Sequence, residues 1–220
     1  MNSMSPSSPV VIAIGRQMGS GGREFGHRLA AALNIGYYDK ELLRDAARSA
    51  GMCDEFFERS DERMPHFFDG AISFAMGFAP SSIYAGPTAI SDDTIYGVQS
   101  DFIRRLAARE SCVIVGRTAD YVLRDTGRTV SIFVHAPLEA RVARILAREP
   151  ELTAQQARQR SERVNKLRAN YYNFYTDKTW GAASSYDLTI DTSLLPMEQI
   201  VQIAADYVRR RYPDAFSHVG

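Results

Sequence analysis

Short apolar runs recur along the chain, and most of them lack the alternation that a half-exposed strand would show. Runs that are apolar throughout are typical of parallel strands that are covered on both faces. The pattern therefore predicts five strands, at residues 10–14, 35–38, 112–115, 130–134 and 187–190.

Between these runs, apolar residues recur every three or four positions, as on one face of an amphipathic helix. Phe25, Leu29 and Leu33 form one such face after the first strand, and Asn34 or Gly36 is expected to end that helix. Further helices are predicted at 98–106, from Pro137 and from Pro196. Strands that alternate with helices predict an α/β fold with three layers, built around a parallel sheet with right-handed crossovers.

Two segments are too long for a simple crossover. Residues 40–99 include a stretch rich in Phe, Met and Gly rather than in linker residues, which predicts an inserted helical region or lid. Residues 151–180 contain a long, strongly basic helix, for which Thr153 and Gln156 form a capping box. The expected organisation is a disordered tail at 1–9, followed by a single domain at 10–220 that contains both segments.

The composition is that of an ordinary folded protein. Hydrophobic residues make up 45% and charged residues 24% of the 220 residues, and no apolar run approaches the roughly 18 residues of a membrane span. The 26 Lys and Arg balance the 26 Asp and Glu, so bulk attraction to nucleic acid or to an anionic membrane is not expected. Any basic site is therefore local.

Neither a secretion signal nor a metal-binding pattern is recognisable. Residues 1–9 lack the basic and apolar regions of a signal peptide, so a cytoplasmic protein is expected. Cys53 and Cys112 have no spacing partner for a zinc site or a disulfide framework, and Cys112 is expected in the core. The four histidines also lack ligand spacing, so no metal ligand is assigned.

Residues 15–24, GRQMGSGGRE, join the first strand to the first helix. A strand, a turn and a helix in this order direct backbone N–H groups and a helix N-terminus at one point, which favours a bound phosphate. A tight turn that needs flexible residues is the alternative, although four glycines exceed what a turn requires. Arg16 and Arg23 favour the phosphate, because a cation in the first helical turn opposes the helix dipole unless an anion lies nearby.

The loop departs from both common nucleotide-binding patterns. The third glycine of G-x-G-x-x-G would fall on Glu24. Against G-x-x-x-x-G-K-[ST], Arg16 stands at the first glycine and Gly21 at the second. Gly22 then stands at the lysine and Arg23 at the hydroxyl residue. The loop is therefore a phosphate-binding pattern that lacks its lysine.

Five blocks of sequence occur in order: GRQMGSGGREFG, YYDKELL, CVIVGRTADYVL, KLRANYYNFYTDKTWG and YDLTIDTS. Together they resemble the cytidylate kinase-like family, a branch of the P-loop nucleoside monophosphate kinases. The resemblance implies a three-layer P-loop NTPase fold with a five-stranded parallel sheet, an inserted monophosphate-binding region and a basic helical lid. It also implies transfer of the γ-phosphoryl group of ATP, with Mg²⁺, to CMP, dCMP or a similar small acceptor.

The resemblance also implies which residues bind the donor. The expected phosphate- and ATP-binding residues are Arg16, Gly19, Ser20, Gly21, Gly22, Arg23 and Glu24. Arg23 would stand in for the missing lysine. Arg163 or Arg168 of the basic helix would close onto the phosphates and exclude water, so the expected catalytic residues are Arg23, Arg163 and Arg168.

On the acceptor side, the resemblance implies Tyr38, Asp39, Lys40, Arg117 and Asp120. Lys40 and Thr118 replace a serine and an aspartate of cytidylate kinases. Alternatives stay open for three of these residues. Asp39 can cap the helix that follows it, Arg117 can form a surface ion pair, and Asp120 can be a solvated acid or a magnesium ligand.

Two other functions stay open at this stage. The first is a kinase of another small metabolite, because no residue in the sequence reads cytosine directly. The second is a nucleotide-sensing module without transfer, because the lysine and two carboxylates of the family pattern are missing. The expected partner is a small-molecule nucleotide, and no obligate protein partner is inferred.

Overall fold

The structure is a computed structural model that describes residues 8–39, 41–42 and 92–216. Its strands form a parallel sheet in the order β2–β3–β1–β4–β5. They are β1 Val11–Arg16, β2 Gly36–Tyr38, β3 Cys112–Val115, β4 Thr129–His135 and β5 Leu188–Asp191. All five predicted strands are confirmed, with ends that differ from the prediction by two residues at most.

Of the six described α-helices, five lie between consecutive strands and the last follows β5. They are α1 Gly22–Leu33, α2 Asp92–Arg109, α3 Ala119–Val122, α4 Leu138–Arg148, α5 Ala154–Tyr175 and α6 Met197–Arg211. Asn34 ends α1 in a left-handed conformation, and the capping box of Thr153 and Gln156 begins α5, both as predicted. Pro137 and Pro196 precede their helices rather than begin them, because each has an extended ψ, near 149° and 145°.

The central strand β1 has apolar side chains on both faces, which is why its sequence does not alternate. Ile12 and Ile14 face a core that includes residues of α1 and α6. Val11 and Ala13 face a second core that includes residues of α2 and α3. The structure therefore has the three layers that the sequence predicts, and Cys112 lies fully buried in the second core.

Most of the predicted inserted region, and most of the predicted tail, lie outside the described residues. Of residues 40–99, the structure describes 41–42 and the beginning of α2. In the described part of the chain, no helix is both long and apolar enough to cross a membrane.

The five parallel strands end at one edge of the sheet, where open α/β sheets bind ligands. The residues that follow β1 to β5 there are Gln17, Asp39, Gly116, Ala136 and Thr192. The glycine loop, the turn after β2 and the turn after β3 are thus brought together by topology alone.

Candidate active site

The glycine loop turns β1 into α1 through left-handed backbone conformations. Gly19 and Gly21 both have φ near +80°. Gly21 is the N-cap of α1, and no side chain caps the helix there. The N–H groups of the first helical turn therefore face the loop without a side-chain partner, as in helix N-termini that bind anions.

Buried hydrogen bonds of Ser20 hold the loop in place. Ser20 is fully buried, and its hydroxyl donates to the Gln17 carbonyl at 2.9 Å. The Ser20 carbonyl accepts from Thr192 Oγ1 at 2.6 Å and from Arg144 Nη1 at 3.2 Å. The hydrogen bond of the Ser20 hydroxyl thus stabilises the turn of the loop. The Ser20 carbonyl joins the loop to Arg144 and to Thr192, which follows β5.

The basic helix α5 is joined directly to the loop backbone. Asn165 Oδ1 accepts from the Met18 N–H at 2.7 Å, and Ser161 Oγ donates to the Met18 carbonyl at 3.3 Å. Arg168 Nη1 donates to the Arg16 carbonyl at 2.9 Å. Arg163 is exposed and has no hydrogen bond to a described residue of the loop. Of the two predicted lid arginines, the structure therefore brings Arg168 to the loop.

Several arginine side chains that extend from the loop, from α5 and from the turn after β3 lie close together. Desolvation, together with the neighbouring charges of Arg168 and Arg117, lowers the pKa of Arg16 to about 9. Burial, and then the charge of Arg23, lowers the pKa of Arg168 to about 10. Among the described residues, no carboxylate pairs with Arg16 or with Arg168. Cations that repel one another in a desolvated place, with no described acid beside them, favour the binding of a multiply charged anion.

The turn after β3 is strained. Gly116, Arg117 and Thr118 have φ of +85°, +62° and +50°. For non-glycine residues, the left-handed region costs roughly 1–2 kcal/mol each. Arg117 Nη1 lies 3.4 Å from Gln99 Oε1 of α2, and Arg117 is close enough to Arg16 to lower its pKa. The strained turn holds Arg117 at the carboxyl edge of the sheet, beside the loop.

Arg23 lies between two carboxylates rather than free above the loop. Its Nε lies 3.2 Å from Asp39 Oδ2, and its Nη2 lies 2.6 Å from Glu41 Oε2. Its side chain is 61% exposed. Asp39 also accepts from the Leu42 N–H at 3.1 Å, so it caps the segment after β2 and binds Arg23 at the same time.

Three other predicted residues point elsewhere or pair with neighbours. Tyr38 donates to Glu110, just before β3 and thus at the opposite edge of the sheet from the loop. Asp120 is buried, which raises its pKa, and it accepts from Tyr172 of α5 at 2.6 Å. Glu24 pairs with Arg28 along α1. Lys40 lies outside the described residues.

Sequence reasoning missed the residues that brace the loop. Thr192, Arg144, Ser161 and Tyr37 each contact the loop or the first turn of α1. Thr192 could have been found, because it lies two residues after a predicted strand, at the ligand-binding edge. Arg144 and Ser161 lie within helices, and no sequence signal distinguishes them from solvent-facing residues.

The described residues offer Mg²⁺ no assembled ligand set. No group of three acidic, histidine or cysteine side chains lies close enough together among them to hold a metal ion. The loop position that supplies a hydroxyl ligand in P-loop proteins is Arg23, and Asp39 and Asp120 already have partners. Among the described residues, these side chains therefore form no magnesium site of their own.

The chain is similar to known proteins in sequence and in structure. The sequence profile of the cytidylate kinase-like family matches residues 11–194. A cytidylate kinase of Methanosarcina barkeri is 30% identical over 100 residues, which are 44% of this chain and 53% of that protein. The match thus spans about half the length of that relative.

Solved structures with the same architecture are also known. An uncharacterized protein from Eubacterium ventriosum is 27% identical, with a TM-score of 0.67 over 91% of this chain and 98% of that chain. A gluconokinase from Sinorhizobium meliloti is 16% identical, with a TM-score of 0.52 over 97% of this chain and 99% of that chain. At that identity the likeness concerns the fold alone, and it confirms the predicted P-loop kinase fold.

Proposed function

Because the chain belongs to the cytidylate kinase-like family, we propose that it is a phosphotransferase that moves the γ-phosphoryl group of ATP to CMP, dCMP or a similar small acceptor. One observation supports this proposal most strongly: Arg16 and Arg168 converge on the glycine loop with no described carboxylate partner. A triphosphate would supply the missing negative charge.

On the donor side, the first turn of α1 and the arginines would hold the phosphates. Phosphoryl transfer needs positioning and charge neutralisation more than a covalent partner, so fixed N–H groups and guanidinium groups suit it. Hydrogen bonds of the Ser20 side chain and of α5 hold the loop backbone in place. Little reorganisation is then needed when charge develops on the transferring group.

On the acceptor side, Arg117 and Asp39 lie at the ends of β3 and β2, next to the loop. Arg117 would bind the phosphate of the acceptor, because a guanidinium can hold a phosphate through two parallel hydrogen bonds. Arg23 is linked to Asp39, so it would couple the donor loop to the acceptor segment.

The proposed transfer is a single displacement. An oxygen of the acceptor phosphate attacks the γ-phosphorus of ATP, while the bond from that phosphorus to the β,γ-bridging oxygen breaks. ADP leaves, and the acceptor becomes a diphosphate. Mg²⁺ would enter with the nucleotide, where it neutralises phosphate charge.

Nucleotide binding without transfer is the second candidate. It is favoured by Gly22 and Arg23, which stand where P-loop kinases have a lysine and a hydroxyl residue. A module of this kind would bind ATP at the same cluster of arginines but would release no ADP.

Measurement of ADP release from Mg-ATP separates the candidates. Purified protein is assayed without acceptor and with CMP, dCMP, UMP, AMP and GMP, each next to an Arg168→Gln variant. Release that depends on one acceptor, and that falls at least tenfold in the variant, is the expected result. Tight ATP binding with no release for any acceptor would contradict the kinase proposal and favour the binding module.

A further inference from the structure

The side chain of Arg16 runs directly over Gly22. A Cβ built on Gly22 would lie 2.5 Å from Arg16 Cβ and 3.0 Å from Arg16 Cγ. Real side chains do not approach so closely, so the Arg16 stem occupies the space into which any side chain at position 22 would start. The two positions can therefore carry only one long side chain between them.

Position 22 is where a P-loop carries its lysine. That lysine reaches over the loop to the β- and γ-phosphates. Here the stem of Arg16, which stands at the first glycine of the pattern, lies over Gly22 instead, and its guanidinium lies against Gly116. Compared with the P-loop pattern, the glycine and the long cationic side chain have exchanged positions in this loop.

The charged end of Arg16 lies at the turn after β3, close to two other arginines. Its guanidinium passes Gly116, where a built Cβ would lie 3.0 Å from Arg16 Cζ. Arg117 and Arg168 are near enough to lower its pKa, and no described acid is paired with it. Arg23, in contrast, is exposed and held by Asp39 and Glu41.

We propose that Arg16, rather than Arg23, takes the part of the missing lysine and contacts the β- and γ-phosphates, and that position 22 is glycine so that Arg16 can pass over it. This inference rests on the proposed function, in that the anion is a nucleoside triphosphate. It assigns the cation by geometry, whereas the sequence alone favoured Arg23.

An exchange of the two residues tests the inference. Binding of ATP and of inorganic tripolyphosphate is measured by calorimetry for the wild-type protein, Arg16→Gly, Gly22→Lys and the double variant with both changes. Each single variant should bind both ligands at least about tenfold more weakly, since one loses a charged contact and the other clashes with the Arg16 stem. The double variant should bind at least about tenfold more tightly than Arg16→Gly.

Arg109→Gln is the matched control, because Arg109 is exposed at the end of α2 and pairs with Glu110 just before β3. It should leave both affinities unchanged, and circular dichroism should show that every variant is folded. If Arg16→Gly binds like the wild type, or the double variant binds no better than Arg16→Gly, the inference is wrong. Because the readout is binding, a protein that binds ATP but transfers nothing refutes the kinase proposal without touching this inference.

Discussion

Replacement of Gly19 by alanine should destabilise the protein for two separable reasons. Gly19 has φ of +80°, which costs an alanine about 1–2 kcal/mol. A Cβ there would also lie 2.6 Å from the backbone carbonyl oxygen of Arg141. That carbonyl belongs to α4, and the Arg141 side chain is itself fixed by hydrogen bonds to Ala136 and Ser161. The structural shift that accommodates such a Cβ costs about a further 1–3 kcal/mol.

Gly127→Ala separates the two contributions. Gly127 also has a positive φ, +69°, but a Cβ there would meet no atom of the described residues within 4 Å. We expect about 1–2 kcal/mol of destabilisation for Gly127→Ala and about 2–5 kcal/mol for Gly19→Ala. Gly97→Ala, in α2 and also with no described neighbour within 4 Å of the added Cβ, should stabilise by up to about 1 kcal/mol. Urea unfolding followed by circular dichroism measures all three. If Gly19→Ala is no more destabilising than Gly127→Ala, the reasoning about the loop and α4 fails.

Three further predictions follow from the site and the core. Burial raises the pKa of Asp120 above its usual 3.8, so its contribution to stability is greatest at low pH and falls as the pH rises through and above about 4. Urea unfolding at a series of pH values should show that Asp120→Asn removes part of this decrease in the free energy of unfolding. An unchanged dependence of that free energy on pH would contradict the prediction. Burial raises the pKa of Cys112 to about 12, so iodoacetamide at pH 8 should leave Cys112 unmodified in the folded protein. In urea the same reagent should modify Cys112, and peptide mass mapping distinguishes the two results. Labelling of Cys112 in the folded state would refute the prediction. Arg23→Gln should weaken ATP binding by less than about fivefold, because an exposed ion pair contributes at most about 1 kcal/mol. The same variant should raise the KM for the acceptor, because Arg23 pairs with Asp39. A larger loss of ATP binding would show that Arg23 takes the role of the missing lysine.

The fold was predictable because its signals are local. Buried parallel strands are apolar without alternation, and β1 and β3 show this directly. Helix ends were set by short-range chemistry, such as Asn34 after α1 and the capping box of α5. The proline positions were one residue off, since a proline that precedes a helix and one that begins it differ only in ψ.

The composition of the site was partly predictable, but its pairing was not. The glycine loop and Arg117 follow strands, so topology brings them together at one edge. Which arginine lies over the loop depends on packing between Arg16 and Gly22 and on the acids around Arg23. Distances of this kind join residues of different elements, and a linear pattern does not encode them.

Product analysis with ATP labelled at the γ-phosphate tests the central claim most directly. The protein is incubated with labelled Mg-ATP and an equimolar mixture of CMP, dCMP, UMP, AMP and GMP, and the nucleotides are separated by chromatography. We expect label in a nucleoside diphosphate, with CDP or dCDP foremost, and unlabelled ADP in equal amount. Label that stays in ATP, or that appears only as inorganic phosphate, would contradict phosphoryl transfer to these acceptors.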